Sequence, residues 1–83
     1  MRVLYFAWVR ERIGSAEEEV DPPPEVDTIA ALISWLAVRS AGHAAALADC
    51  DRLRAARDEE FVPLQTAIAG AREIAIFPPV TGG

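Results

Sequence analysis

Apolar residues fall in runs and stripes along this chain, and their periods set the first expectations about its elements. Residues 2–9, Arg-Val-Leu-Tyr-Phe-Ala-Trp-Val, are apolar at nearly every position and rich in β-branched and aromatic side chains, the pattern of a strand buried on both faces. Arg10 to Ile13 has room for one helical turn, ended by Gly14. Ala16 to Val20, with its Glu17-Glu18-Glu19 run, then reads as a shorter edge strand whose charges discourage pairing with other chains. That spacing suits a solvated edge better than the alternating oxygen ligands of a calcium loop.

Pro22-Pro23-Pro24 interrupts the pattern, and Asp27 or Thr28 supplies an oxygen to begin a helix. Ile29, Leu32, Ile33 and Leu36 follow at helical spacing, with Trp35 on the flank, so a stripe able to cover a sheet runs to about Ser40, before Gly42. Ala44 to Ala48 makes a short helical or irregular piece around Leu47. Leu53–Ala56 and Phe61-Val62 read as two strands of a hairpin about an acidic turn, Asp58-Glu59-Glu60, with Pro63 ending the second. Leu64 to Ala69 is ambiguous between a loop and one helical turn. Glu73 to Phe77 alternates Ile74 and Ile76 inward with Glu73, Ala75 or Phe77 outward. The order strand, strand, helix, strand, short strand, strand predicts an α+β fold of the β-grasp type, a mixed sheet wrapped over one main helix. Its first and last strands lie parallel at the centre, where a right-handed helical crossover permits that pairing.

Composition narrows the classes. At 83 residues and 52% hydrophobic, the chain is expected to fold as one domain without disulfides or metal. Eight basic residues against thirteen acidic ones give a net charge of −5, which repels nucleic-acid phosphates and anionic membranes, so neither is an expected partner. All eight basic residues are arginines, so the sequence offers no side-chain amine for acyl transfer. Cys50 is the sole cysteine and lies between Asp49 and Asp51, whose charges oppose thiolate formation; one thiol and one histidine do not make a zinc site. A reducing, cytoplasmic setting is expected. His43 has no acid or thiol beside it in sequence and reads as a surface or half-buried residue. No phosphate-binding glycine loop, HExxH, CxxC or GxSxG occurs, so no catalytic constellation is expected in the chain itself.

Candidate chemistry is left to the last residues, Phe77-Pro78-Pro79-Val80-Thr81-Gly82-Gly83. Two prolines cannot continue a central ladder, so residues 1–77 form the domain and 78–83 a flexible arm able to reach roughly 20 Å when extended. The prolines stiffen the arm's base; Gly82 and Gly83, lacking Cβ atoms, can pass a channel that any other residue would block.

The heptapeptide, the strand before it, and the N-terminal Val3-Leu4-Tyr5-Phe6-Ala7 with Val9-Arg10-Glu11 and Gly14 resemble the small subunits of molybdopterin synthase, within the ubiquitin-like sulfur carriers. The resemblance covers the whole chain in element order and is strongest at its two ends. It implies that Gly83 is adenylated with ATP by a ubiquitin-activating-like adenylyltransferase and converted to a thiocarboxylate by a sulfur donor protein. The arm, from Phe77 through Pro78, Pro79, Val80, Thr81 and Gly82, would then enter the large subunit's cleft and deliver sulfur to a cyclic pterin monophosphate. It further implies two small subunits on a dimer of large ones, catalytic residues in the large subunit, and no cofactor or metal held by this chain. Ala71-Arg72 stands where the family has Gly-Asp, and Arg57-Asp58 where it has an aliphatic residue and Asn, which questions local turn geometry. Other ubiquitin-like carriers, serving thiamine sulfur transfer or protein tagging, and a plain interaction module with an inert tail remain alternatives.

An α-carboxylate, with a pKa of about 3.3–3.7, is anionic and unreactive at neutral pH, so activation by a partner is chemically required. Leu4, Phe6 and Trp8, expected together on one side of the first strand, compete with the helix for burial. A surplus apolar patch there would mark a docking surface.

Overall fold

The computed structural model describes residues 1–79. Val80, Thr81, Gly82 and Gly83, four of the candidate site residues, lie outside the described residues. Five strands form one mixed sheet in the order β2-β1-β5-β3-β4, comprising β1 (Arg2–Tyr5), β2 (Glu17–Glu19), β3 (Arg54–Arg57), β4 (Glu60–Val62) and β5 (Glu73–Phe77). β1 and β5 run parallel at the centre, with Val3 opposite Ile74 and Tyr5 opposite Ile76; every other pairing is antiparallel. This is the β-grasp arrangement, and the acidic β2 is an edge as its charge pattern predicts.

The first strand is shorter than its apolar run suggests. β1 ends at Tyr5, and Ala7–Ile13 is a helix, α1. Phe6 is still extended, but Ala7 takes a positive φ of 54° and turns the chain off the sheet. A short apolar run fits a buried helix as well as a strand, and here the i, i+4 pair Val9 and Ile13 decides, with Val9 fully buried and Ile13 packed at the core's edge. Gly14, left-handed at φ 88°, ends α1 and donates its N–H to the Arg10 carbonyl at 2.8 Å.

The main helix, α2 (Ile29–Ala37), is capped by Thr28, whose hydroxyl accepts from the Ala31 N–H at 3.1 Å. Asp27, the other candidate cap, uses its backbone carbonyl instead, accepting from Ile68. Two further helix N–H groups, of Ile29 and Ala30, donate to the carbonyls of Thr66 and Leu64. The ambiguous segment 64–69 is thus a loop held by the helix start. Ile29, Leu32, Ile33 and Leu36 are fully buried, each contributing about 1.5–3 kcal/mol of apolar burial. The helix stops at Ala37 rather than Ser40 because the Ser40 side chain begins a second one, α3 (Ala41–Leu47), by accepting from the His43 N–H. A single 3-10 turn, Cys50–Arg52, leads into β3.

Helices cover one sheet face only. Val3, Tyr5, Ala55, Ile74 and Ile76 point into that core. The pleat therefore turns Leu4, Ala56, Ala75 and Phe77 to the opposite face, which carries no helix among the described residues.

Candidate functional site

β5 delivers the arm. Its two core residues, Ile74 and Ile76, are fully buried, while Phe77 at its end is half-buried, and Pro78 and Pro79 lie beyond the strand. Because β1 leaves the sheet after Tyr5, opposite Ile76, Phe77 is paired on one flank only, by Arg54 of β3. The arm's base thus emerges from the centre of the sheet, bordered by the Phe6-Ala7 turn.

Below that exit the uncovered face forms a hollow of about 570 Å³, floored by Ala56 and Ala75 and rimmed by Leu4, Phe6, Phe61 and Phe77. Phe61, 79% exposed, stands on the edge strand β4 and leans on Phe77, ring centroids 5.4 Å apart. Leu4 and Phe6 belong to this patch as the sequence suggested. Trp8 does not: it sits on α1, where Arg12 and Arg52 lie 4.6 and 5.3 Å from its ring. Phe61, read only as part of a short return strand, is the largest exposed apolar side chain of the surface. Its period-2 position opposite Ala56 is the signal that could have placed it there.

The hairpin leading to this face brings together the two dipeptides at which the sequence departs from the expected pattern, Arg57-Asp58 and Ala71-Arg72. Asp58 and Glu59 alone form the two-residue turn, with φ of 48° and 73°, and Glu60 already belongs to β4. Two positive φ angles are the geometry of a type I′ hairpin. The Asp58 carboxylate accepts the N–H groups of Arg72 and Glu73 at 2.9 and 3.0 Å, while Arg57 donates to the Ala69 carbonyl at 2.7 Å. The two departures therefore touch, and together they fix where β5 begins.

A second polar assembly lies on the helix side. Register places Glu18 opposite Val3, so the pleat turns it inward while Glu17 and Glu19 face away. Its Oε2 accepts from the Tyr5 hydroxyl at 2.6 Å and meets His43 Nε2 at 2.7 Å, and Arg39 lies 3.8 Å from Oε1. His43 Nδ1 is 2.7 Å from the Ser40 hydroxyl. His43 is thus buried and partnered, and the acidic run is solvated at only two of its three positions. Sequence proximity missed this because the partners are 25 residues apart. Burial opposes the Glu18 charge, but hydrogen bonds from His43 and Tyr5, with the nearby charges, outweigh it and hold the carboxyl below its ordinary range. Burial, then the bond to Glu18, pushes the Tyr5 phenol far above its own. The assembly joins β1, β2 and α3.

No group of three or more His, Cys, Asp or Glu able to hold a metal occurs among the described residues, and no helix there is long and apolar enough to cross a membrane. What the fold offers is an uncovered apolar face and, beside it, the end of the central strand β5 followed by Pro78 and Pro79.

These features define a ubiquitin-like β-grasp protein whose Pro78 and Pro79 follow directly on its central strand. The crystal structure of SAMP1 from Haloferax volcanii superposes with a TM-score of 0.69 at 30% identity, covering 100% of this chain and 98% of that one. The chain belongs to the ThiS family, whose model matches residues 3–83. It is 39% identical over its full length to the molybdopterin synthase sulfur carrier subunit of Escherichia coli, and 36% identical to that of Haemophilus influenzae, covering 99% of each.

Proposed function

We propose that this chain is the sulfur-carrier subunit of a molybdopterin synthase, with Gly83 as the atom-bearing terminus. Full-length similarity to two sulfur carrier subunits is the observation that carries the reading. The geometry agrees with it: a core closed by Ile76, an arm starting at Pro78, and an apolar face beside the exit suited to a large-subunit partner.

The chemistry follows from the terminus. The Gly83 carboxylate attacks the α-phosphorus of ATP on an adenylyltransferase, releasing pyrophosphate and leaving an acyl adenylate. Hydrosulfide-level sulfur from a donor then attacks the acyl carbon, a C–S bond forms as the C–O bond to AMP breaks, and a thiocarboxylate stands where the carboxylate was. Once the arm enters the large subunit, that sulfur passes to a cyclic pterin monophosphate and water restores the carboxylate. Both terminal forms are anionic, so the receiving cleft is expected to present Arg, Lys or helix N-terminal N–H groups. Phe77, Pro79 and Val80 give the arm apolar grip, which offsets its ordering entropy of about 1–2 kcal/mol per residue. Pro78 lowers that cost, Thr81 continues the shaft, and Gly82 provides clearance behind the cargo. The chain supplies no catalytic side chain and binds no cofactor; it works in the cytoplasm in a heterotetramer with two large subunits.

Intact-mass spectrometry after incubation with the activating enzyme, ATP and a sulfur source tests this directly. The expected product carries one oxygen replaced by sulfur at Gly83. An unchanged terminus under conditions that activate a known carrier would overturn the proposal, and amide conjugates to other proteins would favour a protein modifier instead.

A further inference from the structure

The uncovered face carries a knob and a hole side by side. Phe61 projects from β4 at 79% exposure, and the neighbouring hollow has only methyl groups, of Ala56 and Ala75, for a floor. Within one molecule the ring cannot fill that hollow, because Phe61 and Ala56 are strand partners and their side chains rise together from the sheet. Two copies facing each other across a two-fold axis can: each Phe61 enters the other's hollow.

Charge on the same face points to the same partner. Arg54 lies at the Phe77 end of β3, where, among the described residues, its guanidinium donates only to the carbonyls of Asp51 and Leu53. Glu59 lies in the hairpin turn at the opposite end, roughly 13 Å away along the strand. Neither has an ion-pair partner among the described residues, whereas Glu73, also on that rim, is paired with Arg2 at 2.8 Å. A surface with an uncompensated cation at one end and an uncompensated anion at the other is complementary to itself after a two-fold rotation, and an isologous contact uses each pair twice.

We propose that this face binds a second copy of the chain, forming a weak homodimer in which Phe61 of each copy fills the Ala56–Ala75 hollow of the other and Arg54 meets Glu59. The face spans four strands at about 4.8 Å spacing and about 13 Å along them, roughly 200–300 Å², well below the ~800 Å² per partner of a stable complex. The pair is therefore transient and concentration-dependent. Pro78 lines the same hollow, so pairing also covers the arm's base. That consequence rests on the sulfur-carrier reading: the homodimer and the complex with the large subunit would compete for one face.

Sedimentation equilibrium of the full chain over about 1 μM to 1 mM, the range of weak association, tests the pair. The expected result is a rise from one chain mass towards two, abolished by Phe61→Asp with the circular dichroism spectrum unchanged. Arg54→Glu and Glu59→Arg should each weaken association about tenfold, and the double variant Arg54→Glu/Glu59→Arg should restore it, because reversed charges still meet across the axis. A single chain mass throughout, or self-association unaffected by Phe61→Asp, would overturn the proposal; so would a double variant no better than the singles. Thiocarboxylate formation at Gly83, measured on dilute monomer by mass spectrometry, is independent of this result, so failure of the dimer and failure of the sulfur-carrier reading are separable.

Discussion

Glu18 shows how one side chain's direction, set by the pleat, changes its chemistry. Its neighbours Glu17 and Glu19 face away, whereas Glu18 accepts from Tyr5 and meets His43 and Arg39, tying the edge strand to α3. Its carboxyl is held below the ordinary range by hydrogen bonds and charge acting against burial. A folded-state pKa below the unfolded value of about 4.3 stabilises the fold fully above that pH, and the stabilisation is lost as pH falls through the lowered value. Glu18→Gln should therefore cost about 1–3 kcal/mol at pH 7, where the charged hydrogen bonds are lost. As pH falls from 7 to below the lowered value the wild type protonates and the gap should shrink. Urea denaturation of both proteins at the two pH values measures it; an equal gap at both would mean that the carboxylate's charge contributes nothing.

At the scale of elements, two contacts test why the pieces sit where they do. α1 and α3 cross at Gly42, where a Cβ would lie 2.4 Å from the Arg12 carbonyl oxygen. Gly42→Ala must push the helices apart and should cost about 1–3 kcal/mol, lowering the melting temperature by several degrees in a domain this small. An unchanged melting temperature would show that α1 is loosely held. The hairpin makes the other test. Asp58→Ala strands the N–H groups of Arg72 and Glu73 and places an alanine at positive φ, an expected loss of about 1–3 kcal/mol in thermal unfolding, whereas Asp58→Asn should stay within about 0.5 kcal/mol. Asn keeps the accepting Oδ1 and tolerates left-handed backbone, as Asp does. These contacts also mark the limit of what the sequence could show. Helix α2, the hairpin and β5 were legible because their apolar periods and turn residues act locally. The end of β1 was not, since Val3 to Val9 fits either period and only packing of Val9 and Ile13 against the core decides. His43 was misplaced because its partner arrives from another strand. The hollow beside the end of β5 was legible only in part, since Ala56 and Ala75 become a floor once β3 and β5 are paired.

For the whole molecule, the sulfur-carrier proposal assigns fold and function to the two faces of one sheet. The core closes at Ile76 on the helix side, while Phe61 and Phe77 stand on the other side with the arm. Two variants should therefore fail at different steps while both remain folded. Phe61→Ala removes an exposed ring, so unfolding should change by no more than about 0.5 kcal/mol, typical of surface positions. Its Gly83 should still be converted to a thiocarboxylate, but affinity for the large subunit should fall by about 2 kcal/mol or more if the ring is an anchor of that interface. Deleting Gly83 should do the reverse. No core residue is touched, so thermal unfolding and large-subunit binding should match the wild type, yet no thiocarboxylate should form and sulfur transfer should be lost. The mass of the activated chain, calorimetric binding to the large subunit and single-turnover sulfur transfer resolve the three steps. A Gly83 deletion that unfolds the domain, or a Phe61→Ala chain that binds as tightly as wild type, would break this division, because the first would make the tip structural and the second would leave the apolar face without a role in docking.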